Sequence, residues 1–169
     1  MRDALKNQML AALATLGQCA ENCPDSEWGE SRGDAPFSQA LFHALFYADF
    51  YMSDGAGDFR SQPFHAERVG MFRDYEELED REPRETYSRA EITAYLDFCR
   101  AKAAAYFAEV SDDGLLAQSG HRGMSRAEIA IYSTRHVQHH AAQLGLRLQQ
   151  AGGKALRWES SGWERPSRA

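Results

Sequence analysis

Three of the chain's six histidines, His136, His139 and His140, fall within SRAEIAIYSTRHVQHHAAQLGLRLQQ, from Ser125 to Gln150. Residues four apart on a helix stand one turn apart on the same side. His136 and His140 can therefore aim two imidazoles at one point, the usual way a helix supplies two ligands to a transition metal. The choice between His139 and His140 follows from a helical wheel. With His136 at the origin, Ala130, Val137, Ala141, Leu144 and Leu148 fall between about 80° and 140°, which is the core stripe. His140 falls near about 40° and His139 near about −60°. His136 and His140 border the buried face, and His139 leans to solvent. Two imidazoles at such a border can also simply hydrogen-bond to their neighbours.

The helix that must carry them is well signalled. Ser125 precedes Glu128 by three residues, which is a capping box: the Ser hydroxyl accepts from the Glu128 N–H, and the carboxylate reaches back to the Ser125 N–H. The same SRAEI opens a helix at Ser88. That helix spans 88–110, with Ile92, Tyr95, Leu96, Cys99, Ala103, Tyr106 and Val110 as its core stripe. A first helix over 3–20 buries Leu5, Met9, Ala12, Leu13 and Leu16. A second, over 35–53, is apolar almost all round and so is buried between neighbours. His43 stands inside its aromatic surface and needs partners for both nitrogens. Alone it reads as a satisfied core histidine; with His136 and His140 it is the natural third ligand, from a facing helix. Asp49 is six residues from His43 and on another face.

Residues 54–87 show no clear period. A connection this long is functional, partly helical or mobile. Its His65 reads as a surface-loop histidine, and the acidic run from Asp74 to Glu85 as a solvated face. His121 lies between glycines in the linker before the last helix and could approach the site. Trp28 reads as a cover over the end of the core. Trp158 and Trp163, in the tail, suit packing on the helices or on a second subunit.

Composition sets the class. The chain has 169 residues, 43% hydrophobic and 26% charged, and a net charge of −6. This fits one domain spanning 1–169, and it argues against nucleic-acid or anionic-membrane surfaces, which need concentrated Lys and Arg. No apolar run reaches a membrane span, and the N-terminus lacks a signal-peptide core. Cys19, Cys23 and Cys99 are too few for a disulfide framework, so a reduced, cytoplasmic protein is expected. Four amphipathic helices without a convincing strand imply an all-α four-helix bundle with a long connection between helices 2 and 3.

The pattern resembles the DinB-like metal-binding four-helix family. It rests on His43 in QALFHALFYADFY of the second helix and on HVQHHAAQ of the last, an H-x3-H followed by Gln143. The family often has Arg-Gly or similar after the last histidine, where this chain has Ala141-Ala142. The resemblance covers essentially the whole chain. It implies a divalent transition metal held by His43, His136 and His140, zinc or nickel first, with iron, cobalt or manganese also compatible. Three imidazoles leave an open coordination position, as in catalytic sites. A metal there could activate water for hydrolysis or deprotonate a thiol.

By resemblance, the expectation is a metal-dependent enzyme of the thiol S-transferase or hydrolase type, acting on a small molecule with a low-molecular-weight thiol, and a homodimer. The competing readings are a non-catalytic, metal-stabilised bundle and a protein-interaction module. Tyr47 could line the pocket, Gln143 could orient a ligand, and Arg147 reads as packing.

Overall fold

The computed structural model describes residues 1–31, 35–79 and 84–162. It is all-helical. Four long helices, α1 (Arg2–Asn22), α3 (Phe37–Tyr51), α7 (Arg89–Glu109) and α9 (Arg126–Gln150), form the frame. α1 and α3 each pack against both α7 and α9. The expected four helices are joined, among the described residues, by five short ones: α2 (Asp25–Trp28), α4 (Ala56–Arg60), α5 (Pro63–Ala66), α6 (Val69–Phe72) and α8 (Asp112–Leu116). Trp163 and residues 80–83 of the acidic run lie outside the described residues.

Local chemistry explains the helix starts. Both capping boxes form, at Ser88–Glu91 and Ser125–Glu128. Each Glu carboxylate also accepts from the backbone N–H of its Ser, at 2.8 and 2.9 Å. The end of α1 is closed by Arg89, which donates to the carbonyls of Ala20 and Cys23 at 3.1 and 2.6 Å, the usual use of a cation at a helix C-terminus. Its guanidinium also lies over Trp28, whose indole donates to Tyr87 O at 2.6 Å.

The stripes read from sequence become the core. Met9, Leu13 and Leu16 of α1, Leu41, Ala44 and Leu45 of α3, and Val137, Ala141, Leu144 and Leu148 of α9 are buried. On α7 the stripe shifts at its end: Phe107 is buried and Tyr106 only half-buried. Tyr106 lies beside Arg126 and leaves the core to the purely apolar ring.

The connection after α3 is partly helical. It folds over the outer side of α3 as α4, α5, α6 and a 3₁₀ turn over Arg73–Leu78. Phe59 seats edge-on against Phe46, and His65 stacks on Phe72 at 3.7 Å. His65 is thus not a surface-loop histidine; it is 1% exposed. Its Nε2 bonds Asp49 Oδ2 at 2.8 Å.

Asp49 is the reason. A lone carboxylate in an apolar helix must find partners or be neutralised. It accepts from His65, from the Tyr95 hydroxyl at 2.9 Å, from Gln62 at 3.1 Å and from Lys102 Nζ at 2.6 Å. Burial raises its pKa, but the His65 hydrogen bond and the Lys102 charge together outweigh burial and hold the carboxyl below its ordinary range. The network ties α3, α7 and the connection together.

The tail runs along α1. Gln18 donates to Arg157 O at 3.2 Å and accepts from Arg157 N at 2.8 Å, and Gln8 donates to Ser160 O. Leu156 packs over Gly145, where a Cβ would meet Leu156 Cδ1 at 2.8 Å. Trp158 is 79% exposed.

Candidate metal centre

α3 and α9 bring His43, His136 and His140 together. The Nε2 atoms of His136 and His43 lie 3.3 Å apart, and those of His140 and His136 lie 3.2 Å apart. All three ligand-capable atoms fall within 4.8 Å of one another, and all three residues are half-buried. Two zinc-bound imidazole nitrogens at tetrahedral angles stand ~3.3 Å apart, given a bond of about 2.0–2.1 Å. The spacing therefore suits one small ion.

The proton positions also suit it. His43 Nδ1 lies 2.7 Å from Glu77 Oε2. A carboxylate only accepts, so Nδ1 carries the proton and Nε2 turns its lone pair inward. This is the carboxylate–histidine–metal arrangement, in which an outer carboxylate fixes the tautomer and orientation of a ligand. For His136, burial first, then the neighbouring His140 and His43, pull its pKa down to about 3. Its imidazole is therefore neutral, the form that binds a metal.

Glu77 was hidden in the acidic run expected to be solvated. It is 7% exposed. Gln39 donates to its Oε1 at 2.5 Å, and Tyr47 OH donates to its backbone carbonyl at 2.6 Å. A strained turn delivers it: Arg73, Asp74 and Tyr75 have φ of 44°, 56° and 65°. Left-handed backbone at residues with a side chain costs about 1–2 kcal/mol each, so the surroundings must hold the turn in place. No periodicity marks such a residue. The available signal was chemical: a metal-bound imidazole usually has a carboxylate behind it.

The other candidates separate clearly. Tyr47 lines the group, its ring 4.9 Å from that of His43 and 5.4 Å from that of His136. His139 and Gln143 are exposed. Arg147 donates to the carbonyls of Ala35 and Glu30, at 3.0 and 2.8 Å, and packs over Phe37. His65 serves Asp49, and His121 bonds Ser53 O at 2.8 Å; neither joins the group. Cys19, Cys23 and Cys99 are free and buried. Burial pushes the Cys19 thiol up to about 12 and the Cys23 thiol up to about 11, away from reactive thiolates. An open recess of about 520 Å³ borders His136 on the outer side of α9, lined by Tyr132, Arg135, Gln138, His139 and Ala142. Among the described residues, no helix is long and apolar enough to cross a membrane.

No curated protein and no solved structure matches the chain. A family model described as the DinB superfamily matches residues 3–144, covering α1, α3, α7 and all but the last turns of α9. With three histidines converging from the second and last of its long helices, the chain belongs to the DinB superfamily.

Proposed function

We propose that the protein is a metal-dependent enzyme built on a single four-helix-bundle domain, with His43, His136 and His140 as the ligands of one divalent transition ion. The observation that carries this reading is the convergence of three Nε2 atoms from two helices, with the His43 tautomer set by Glu77. Three neutral imidazoles suit zinc or nickel first, and iron or manganese next. With only three protein ligands, a bound ion would keep a coordination position for an incoming molecule. The bound ion would supply Lewis-acid activation of a small ligand, a thiol in an S-transferase or water in a hydrolase.

The chain's own residues set the stage. Glu77 orients His43, the burial of His136 keeps it unprotonated, and Tyr47 walls the group. The side chain of His43 is 32% exposed, so a small substrate and a low-molecular-weight thiol can reach the group. The net charge of −6 favours neither nucleic acid nor membrane surfaces as partners, and we place the protein in the cytoplasm as a homodimer.

The experiment is a metal-loading screen on apo-protein, followed by assays of thiol transfer to electrophiles and of ester or amide hydrolysis. Turnover that requires the metal and is lost in His136→Ala supports the reading. Stoichiometric metal without turnover in either assay class would favour a metal that only joins α3 to α9.

A further inference from the structure

The linker before α9 makes a tight turn at an unusual residue. Met124 N donates to His121 O at 3.0 Å, closing a four-residue turn with Arg122 and Gly123 at its centre. Both central residues have positive φ, 53° at Arg122 and 67° at Gly123. A turn of that form favours Asn or Gly at its first central place. An arginine there bears backbone strain, which is kept where the surroundings demand it and is a pointer to function.

The turn is bolted down from below. His121 is buried, its Nε2 bonds Ser53 O, and its ring sits edge-on to Phe50 at 4.5 Å. Ser119 Oγ donates to the His121 and Met124 carbonyls. The Arg122 side chain is itself exposed. Its guanidinium lies 5.1 Å over the Tyr132 ring and beside the Tyr51 side chain. Tyr132 stands one helical turn before His136. Tyr51 packs against Tyr132 at 5.4 Å and against Tyr47 at 5.7 Å, and Tyr47 touches His43 and His136. A continuous tyrosine wall thus links the histidine group to Arg122.

The charge of Arg122 is unanswered. Among the described residues no carboxylate pairs with it, whereas Arg126 pairs with Asp54 at 3.0 Å and Arg89 with Asp25 at 2.8 Å. A guanidinium has five donors in a planar fork, and most of those on Arg122 remain for a ligand. A fork beside phenol hydroxyls matches a carboxylate, which it can hold by two parallel bonds.

We propose that Arg122 is the carboxylate-binding end of the substrate site, so that the molecule held at the His43–His136–His140 group carries a carboxylate at its far end. This rests on the metal-enzyme reading above and names its substrate class. Arg122 is a specificity-determining residue in this account. Arg135, which lines the recess beside His136 on the outer side of α9, is the control.

The test uses the full chain loaded with cobalt(II), whose absorption reports thiolate coordination directly. The probes are 3-mercaptopropionate and 6-mercaptohexanoate, each against the alcohol of the same length. Two lengths span the unknown reach from metal to guanidinium. The wild type should bind one acid about tenfold more tightly than its alcohol, the worth of a charge-assisted hydrogen bond. Arg122→Gln should abolish that preference while leaving alcohol affinity, cobalt stoichiometry and melting temperature unchanged. Arg122→Lys should restore part of it, and Arg135→Gln should keep it whole. Equal affinity for acid and alcohol at both lengths, or a preference that survives Arg122→Gln or disappears in Arg135→Gln, overturns the proposal while leaving the metal reading intact. Failure to take up cobalt overturns the metal reading and the proposal with it.

Discussion

The His43 imidazole is held between a buried carboxylate and the point where three nitrogens meet. Glu77 has two tasks there: it keeps the proton on Nδ1, and it polarises the ring towards a better donor at Nε2. Glu77→Gln keeps the shape and removes the charge. It should weaken metal affinity by about 10–100-fold, read by competition with a chelating dye; an unchanged affinity would remove Glu77 from the site. At the ligands themselves, His43→Ala or His140→Ala should abolish stoichiometric binding, and His139→Ala should leave it nearly intact, because His139 is exposed and stands outside the group. Equal losses in all three would refute the ligand assignment. The histidines were legible because helical spacing is strict: a four-residue step fixes two imidazoles on one side. Glu77 was not, because an irregular turn with three left-handed residues places it, and no residue pattern encodes that path.

At the scale of elements, α3 is held from two sides by polar groups set into apolar surfaces. Glu77 reaches Gln39 and His43 on one face, and Lys102 with His65 reaches Asp49 on another. Removing the cation by Lys102→Met breaks a buried ion pair, leaves Asp49 only its bonds from His65, Tyr95 and Gln62, and should cost about 3–5 kcal/mol, as broken buried pairs do. Urea unfolding measures it; a loss below about 1 kcal/mol, the worth of a surface pair, would contradict the network. The pH dependence has a definite sign. The folded-state pKa of Asp49 lies below its ordinary value of 3.8, so its contribution is present above that pH and is lost as pH falls further. The acid decline should be shallower in Asp49→Asn than in the wild type. The elements themselves were largely legible, from two SRAEI capping boxes and four apolar stripes. The helices of the connection were not: at four or five residues each they are too short to show a period, and packing on Phe46 and Phe72 stabilises them more than propensity does. Asp49 left a legible sign, a carboxylate in an apolar helix, but its partners are far away in the sequence.

For the whole molecule, a metal held by histidines of α3 and α9 would be a staple between two sides of the frame. Binding to the folded state alone stabilises it by about 2.7 kcal/mol at a hundredfold excess over Kd. For a chain of this size that is a rise of roughly 5–10 °C in Tm. Chelation should reverse it in the wild type and do nothing in His136→Ala; equal shifts in both would mean the stabilising ion sits elsewhere. The most direct test of the central claim is metal content by elemental mass spectrometry on protein purified without a histidine tag, beside His136→Ala. The account predicts about one transition-metal ion per chain in the wild type, the complement of one three-histidine site, and its loss in the variant. No metal as purified and no uptake of added zinc, nickel or manganese would contradict it and return His43, His136 and His140 to the role of core histidines.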